Sequence, residues 1–467
     1  MLERHGLRYL GLGGALLLAL APTRIGAPER VIRGPIGQRL DSLLQAAEAQ
    51  GFHGSALVAQ HDTVLLLKGY GFANEETHTR YTAATLVQIG SNVKDFTKVA
   101  IYQLLERGRL HLTDSLPLFF DGVAESKRGI TIEQLLDHTA GLPLGLTPDA
   151  IPVTKAEMLE RLNALVLASS PGTRRAYSNL GYSLLAAIIE RVSNQPYDTY
   201  VAESILRPAE MVETGTYLPR FDRARMAHGY EGSRDIGVIL DMPHDAEGHL
   251  WALRGNGGYL STLNDMRRLY NSLRGPLLLA DEAHRRAVVS SVNPQVLAGS
   301  DMRSFFLFAT FPGADVEIFL ASNHSAYKAN RLLEPIQQVM GIQVPGGGRR
   351  ELNAPMVDRL PDTGPGHTIT AYLEVFNSKD TVLMREFFAE HSISDSHAPP
   401  LALRLQHYRE MRSNLGRLTL RGVRQSSDGM GLAVSVTTEN GDPATLTFSV
   451  EEHAPYRLRG VRVEVGQ

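Results

Sequence analysis

Apolar residues recur at helical spacing through Val93, Phe96, Ala100, Ile101, Leu104 and Leu105, between a polar Ser91-Asn92 step and Gly108. That period predicts a helix that opens at or just after Ser91 and stops near Gly108. Leu184, Leu185, Ile188, Ile189 and Val192 predict another helix behind Ser178-Asn179, and Asn330 to Met340 predicts one more. Ser304 to Thr310 and Val316 to Ala321 alternate as strands about a Phe311-Pro312-Gly313-Ala314-Asp315 turn, which predicts a hairpin. Val344 to Arg350 and Leu360 to Gly366 have the Gly/Pro content of a linker, and the pattern changes beyond them. Ile369, Tyr372, Leu373 and Phe376 mark a helix, and Asn377 to Asp380 break it and cap the next, with Leu383, Phe387 and Phe388 apolar. Four strand-like runs follow, 418–423, 432–438, 444–450 and 456–465, with turns at Ser427-Asp428-Gly429 and Asn440-Gly441-Asp442 that predict an antiparallel meander.

The chemistry lies at the helix starts. Ser91 and Lys94 are three residues apart and so share one helix face. A serine hydroxyl is a poor nucleophile until a neighbouring base takes its proton, and a helix N-terminus favours the developing alkoxide. Alone, this pair also reads as a helix cap beside a solvated lysine. Tyr177-Ser178-Asn179 precedes the second helix, where a turn with a core tyrosine is the bland alternative.

Three stretches decide between these readings: Gly51 to Ala59, Lys68 to Asn74, and Ile89 to Leu112. They resemble the β-lactamase-related serine hydrolase family, which includes class C β-lactamases and D-alanyl-D-alanine carboxypeptidases. The resemblance places Ser91 and Lys94 on the family's S-x-x-K motif and Pro171 to Tyr182 on its Y-x-N segment. It implies that Ser91 is the nucleophile, that Lys94 and Tyr177 move protons, and that Asn179 orients Lys94 and a substrate amide. Ile130 to Pro143 matches a further hallmark, read as structural, with His138 outside the catalysis. Gly255-Asn256-Gly257-Gly258 resembles the family's glycine-rich turn and lacks the Gly-Lys-Ser/Thr of a nucleotide loop.

The third motif departs from the family. Where relatives carry K-T-G or H-x-G on a strand beside the site, the late hairpin aligns Val296-Leu297-Ala298-Gly299-Ser300. Gly299 and Ser300 remain as substrate-lining residues, and the basic group that receives a substrate carboxylate is gone. The implied fold is mixed α+β: a transpeptidase-like antiparallel sheet from an N-terminal hairpin (Ser55 to Gly69) and the late hairpin, beside a helical subdomain. A small α+β domain follows whose opening, Ala371 to Asn377, and element order resemble the nuclear-transport-factor-like (SnoaL-like) cone. The expected boundaries are 1–27 for a leader, 35–345 for the hydrolase, 346–366 for a linker and 367–467 for the cone. The expected activity is acyl transfer from peptide or ester donors, with no cofactor and no metal. The rival is a relative that has lost turnover and serves as a binding or scaffold protein.

Composition narrows the classes. A net charge of −3 without a long basic tract gives a nucleic-acid partner no support. With no cysteine there is no disulfide, thiolate metal site or cysteine nucleophile. Asp241, His244, Asp245 and His249 cluster in a polar stretch that reads as a solvated loop. Arg4 and Arg8 ahead of the apolar run Tyr9 to Ala21 predict export, periplasmic or extracellular. Pro22 and Pro28 sit badly for cleavage, which leaves an uncleaved membrane anchor as the alternative to a signal peptide.

Overall fold

A computed structural model describes residues 30–465 apart from 148–150, 217–220, 243–249, 290–294, 325–328, 343–356, 394–400, 426–430, 440 and 452. The leader at 1–27 and His244, Asp245 and His249 lie outside the described residues. The chain divides into two compact units, 1–339 and 340–467.

The first unit is built on a six-stranded antiparallel sheet. Its strands are β1 (Val31–Ile32), β2 (Gly54–Gln60), β3 (Thr63–Tyr70), β4 (Gln295–Asp301), β5 (Ser304–Phe311) and β6 (Val316–Ser322), in the order β1-β3-β2-β6-β5-β4. The two expected hairpins join through β2 and β6, with Leu57 opposite Phe319. The alternation expected of the late hairpin gives way to burial on both faces: β2, β5 and β6 are buried along nearly their whole length. Helix α1 (Gly34–Glu48) packs on β3, and the principal helices after it are α2 (Val93–Glu106), α3 (Ile132–Leu136), α4 (Lys155–Ala164), α5 (Asn179–Ser193), α6 (Leu263–Ser272) and α7 (Leu333–Met340). Tyr270 of α6 stacks on Phe308 at 4.0 Å between ring centroids, and Phe308 stacks on Phe319 at 4.7 Å. Glu317 is buried in β6 and is held by Arg267 at 2.8 Å and Arg274 at 2.6 Å, so its charge is paired.

Helix α2 is buried over most of its surface: Val93, Phe96, Val99, Ala100 and Ile101 are fully enclosed, Lys94, Asp95 and Thr97 are buried with them, and Lys98, Tyr102 and Leu105 form a half-buried face. Its polar groups are therefore partnered. Thr97 donates to the Gly255 carbonyl at 2.7 Å, and the Tyr270 hydroxyl donates to Asp95 at 3.0 Å. Both contacts tie α2 to segments far away in sequence.

The second unit has its own core. Helices α8 (Gly364–Ser378), α9 (Thr381–His391) and α10 (Leu401–Leu415) pack with a meander of β7 (Thr419–Gln425), β8 (Gly431–Thr437), β9 (Pro443–Val450) and β10 (Leu458–Val465). The linker assignment is corrected here. Val357 already pairs with Val423, and α8 starts at Gly364 with Thr363 accepting from the Gly366 amide at 3.3 Å. Pro365 sits in the first turn, where its missing N–H costs nothing, so this Gly/Pro run starts a helix. The sequence reading also passed over α10, whose apolar stripe of Leu405, Tyr408 and Leu415 is narrow among charged neighbours.

Because the two cores share no residue, residues 30–342 expressed alone should stay soluble and unfold cooperatively in urea. In that chain Phe319→Ala should cost about 3–5 kcal/mol. An insoluble product would mean that the first core is incomplete without the second unit.

Candidate active site

Gly90, Ser91 and Asn92 form one 3-10 turn that feeds directly into α2. Gly90 has φ +51°, which costs an L-residue, and a Cβ there would lie 2.3 Å from the Ser300 amide nitrogen. A Cβ on Gly299 would lie 2.5 Å from the Ser91 nitrogen. Edge strand β4 therefore runs against the Ser91 turn backbone to backbone, which only glycine at these two positions permits. Asn92 locks the turn by donating to the Ile89 carbonyl at 2.8 Å.

The sequence-predicted trio converges. Lys94 Nζ donates to Ser91 Oγ at 3.1 Å, and the Tyr177 hydroxyl donates to the same oxygen at 2.8 Å. Lys94 is 4 % exposed, so its ammonium cannot rely on water. It donates to the Asn256 carbonyl at 2.9 Å and lies 4.9 Å from the Tyr177 ring centroid and 5.5 Å from that of Tyr182. A cation at this distance lowers the cost of a phenolate at Tyr177 or an alkoxide at Ser91. Ser91 is half-buried and Tyr177 is exposed, so the oxygen is open to a substrate.

Tyr177 is gripped from behind by His138. The His138 carbonyl accepts from the Ala176 amide at 2.8 Å, its Nδ1 accepts from the Ser178 amide at 3.1 Å, and its ring packs on Tyr177 at 4.5 Å between centroids. One residue thus fixes the backbone on both sides of Tyr177 and the face of its ring. Burial pushes the His138 pKa down to about 3, with Arg175, Lys94 and Lys98 adding to the effect. It is a neutral clamp at ordinary pH.

Asn179 Oδ1 does not accept from Lys94. Its side-chain oxygen is buried and accepts no hydrogen bond among the described residues. Ser178, not Asn179, caps α5, accepting from the Gly181 amide at 3.1 Å, while the Asn179 amide donates to the Leu144 carbonyl at 2.7 Å. The Asn179 side chain lines a water-sized cavity of about 20 Å³ with Leu146, Val153 and Trp251. The carbonyl that holds Lys94 belongs to Asn256, whose amide group donates to Ser183 Oγ and the Ala252 carbonyl, both at 2.9 Å. The Gly-rich pattern flagged that segment, but no sequence signal says which of its carbonyls faces Lys94. The Ser300 hydroxyl donates to the Ser304 carbonyl at 2.7 Å, which leaves it free to act only as an acceptor. On β4, Val296 and Ala298 are exposed and Leu297 is half-buried, so the strand presents no charged side chain where the family's basic triplet aligns.

A family profile described as Beta-lactamase matches residues 40–316. The chain belongs to the beta-lactamase family. This family's serine-hydrolase fold recurs in solved structures. FmtA from Staphylococcus aureus aligns with a TM-score of 0.59 at 19% identity, over 68% of this chain and 93% of that one. D-amino acid amidase from Ochrobactrum anthropi aligns at 0.55 and 18%, over 66% and 99%. Among curated relatives, "Protein flp" of Staphylococcus aureus (strain COL) is 31% identical over 212 residues, 43% of each chain. "Putative penicillin-binding protein PbpX" of Bacillus subtilis is 29% identical over 188 residues, 40% of this chain and 47% of its own. The beta-lactamase-family match thus spans under half the length of these curated relatives.

The His138 clamp has a pH signature. An unfolded histidine titrates near 6.5, so on acidification the unfolded chain binds a proton that the native one refuses until about pH 3. Stability from this group is complete above about pH 6.5 and falls by about 1.4 kcal/mol per pH unit below it. His138→Asn, which tolerates the residue's φ of +60°, should flatten that slope by one proton in urea titrations between about pH 7 and about pH 5. An unchanged slope would show that His138 is not buried neutral.

Proposed function

We propose that this protein is a serine acyl hydrolase in which Ser91 is the nucleophile. The observation that carries the reading is the meeting of Tyr177 and Lys94 on Ser91 Oγ, at 2.8 and 3.1 Å. Ser91 attacks the carbonyl carbon while the Tyr177 oxygen, its anion stabilised by Lys94, takes the serine proton. The tetrahedral oxyanion is received by the backbone N–H groups of Ser91 and Ser300, which the Gly90 and Gly299 contacts bring side by side. Tyr177 returns the proton to the leaving group, and water then releases the acyl chain by the reverse transfers. A scaffold protein without turnover has no use for a buried lysine held on a serine oxygen, so turnover is the favoured reading.

The substrates are ester or peptide acyl donors that do not depend on a carboxylate. Loss of the basic triplet removes a charge-assisted hydrogen bond that contributes roughly 1.5–3 kcal/mol, or about ten- to a hundredfold. Exposed Val296, Leu144 and Tyr177 offer apolar contact instead. The leader pattern at 1–27 supports export, with the segment either removed or kept as an anchor. The three helices and meander of the second unit support the SnoaL-like reading, with a binding or packing role rather than a second catalytic centre.

Ser91→Ala should abolish turnover of a small activated ester and labelling by a fluorophosphonate, located by mass spectrometry. The kcat/KM for the ester should exceed that for a cephalosporin on the same preparation. Efficient cephalosporin hydrolysis without ester turnover would overturn the substrate reading and point to a cation from elsewhere, with exposed Arg175 beside His138 the first to test.

A further inference from the structure

Lys94 and Thr97 sit one turn apart on the same face of α2, and they bind two consecutive carbonyls. Thr97 Oγ1 donates to the Gly255 carbonyl at 2.7 Å, and Lys94 Nζ donates to the Asn256 carbonyl at 2.9 Å. Both carbonyls belong to the turn Gly255-Asn256-Gly257-Gly258, in which Gly255 has φ +78° and Gly258 has φ +81°. Glycine adopts many backbone conformations at similar energy, so such a turn does not fix the direction of a carbonyl by itself. The aim of the Asn256 carbonyl has to come from the groups that grip the turn.

The first grip is at Gly255. Thr97 is fully buried, and its one hydroxyl proton goes to the Gly255 carbonyl. The Tyr197 hydroxyl, 2.7 Å from the same Thr97 oxygen, is therefore the donor to it. Burial pushes the Tyr197 pKa up, so the phenol keeps that proton. The second grip closes the two ends of the turn on one carboxylate. Arg254, immediately before the turn, lies 3.0 Å from one oxygen of Asp198, and the Tyr259 hydroxyl, immediately after the turn, donates to the other at 2.8 Å. The Arg254 side chain is 3 % exposed, with Glu190 at 3.3 Å and the rings of Trp251 and Tyr197 at 5.0 and 5.8 Å. Lys155 faces Glu190 at 2.8 Å, so the two buried carboxylates are matched by two cations.

We propose that Thr97 and Asp198 are positioning residues for Ser91: they hold the glycine-rich turn so that the Asn256 carbonyl meets the Lys94 ammonium, which keeps that cation on Ser91 Oγ and beside Tyr177. The inference rests on acyl transfer at Ser91 and extends it to buried groups that touch no substrate. Lys94 stabilises the anion that forms on Tyr177 or Ser91 during proton transfer, and not the bound ester. Loss of its alignment therefore lowers kcat and leaves KM in place.

The test compares Thr97→Val, Thr97→Ser and Asp198→Asn in the full chain, with a small activated ester as substrate. Thr97→Val keeps the branched shape and removes the donor. It should lower kcat roughly ten- to a hundredfold, the range of a hydrogen bond to a charged group, with KM within about twofold of the wild type. The rate of fluorophosphonate labelling at Ser91 should fall by the same factor, and Thr97→Ser should restore both. Asp198→Asn keeps an acceptor for Tyr259 and drops the charge that faces Arg254. It should show the same loss of kcat at unchanged KM, and it carries the test if Thr97→Val loses its urea transition. A purely structural role would lower the unfolding midpoint and leave kcat and the labelling rate of the folded protein at wild-type values. That result, or a loss that Thr97→Ser does not restore, would overturn the inference while Ser91-dependent turnover stood. A wild-type chain with neither turnover nor labelling at Ser91 would instead overturn the acyl-transfer reading, and the inference with it.

Discussion

The buried ammonium of Lys94 is the constraint on which the catalytic unit depends. A cation at 4 % exposure is tolerable only if every hydrogen has an acceptor or an aromatic face. Its oxygen partners come from two separate segments: the Ser91 hydroxyl one turn back and the Asn256 carbonyl of the glycine-rich turn. The rings of Tyr177 and Tyr182 bring in a third. Satisfying that one charge therefore fixes the relative positions of the start of α2, the start of α5 and the 255–258 turn. The meeting of Tyr177 and Lys94 on Ser91 Oγ comes from the same requirement.

The frame around this charge is rigid for physical reasons. The first turns of helix α2, Val93 to Thr97, are fully buried, so they cannot shift without opening the core. Strand β4 approaches the Ser91 turn so closely that two glycines are obligatory, which holds the Ser91 and Ser300 backbones together. His138 holds the Tyr177 backbone on both sides and covers its ring. Preorganisation of this kind is how donors come to face a developing charge without reorganising during the reaction. The absent basic triplet leaves all of it intact, because Val296-Leu297-Ala298 alters the rim of the site and not its frame.

Much of this was legible in the sequence, and the reasons differ by element. Helical periodicity located α2, α5, α7, α8 and α9, and alternation with turn chemistry located the β5–β6 hairpin and the four-stranded meander. The spacing of Ser91 and Lys94 dictates that they meet, because residues three apart on a helix are neighbours. The loss of the basic triplet is likewise a property of the sequence. Linker composition misled at 357–366, because Pro in the first turn is compatible with a helix start although Pro inside a helix breaks it.

Only the tertiary structure decided what depends on contacts between distant segments. Tyr177 is 86 residues from Ser91, and nothing local to either required them to touch. The sequence assigned the orientation of Lys94 to Asn179; the fold gives that part to the Asn256 carbonyl, because α5 presents the Asn179 side chain to a small cavity instead. The backbone contact between Gly90 and Ser300 leaves no periodic trace. Hydrophobic pattern records which face of an element is buried, whereas the partner across that face is fixed only when the whole core packs at once.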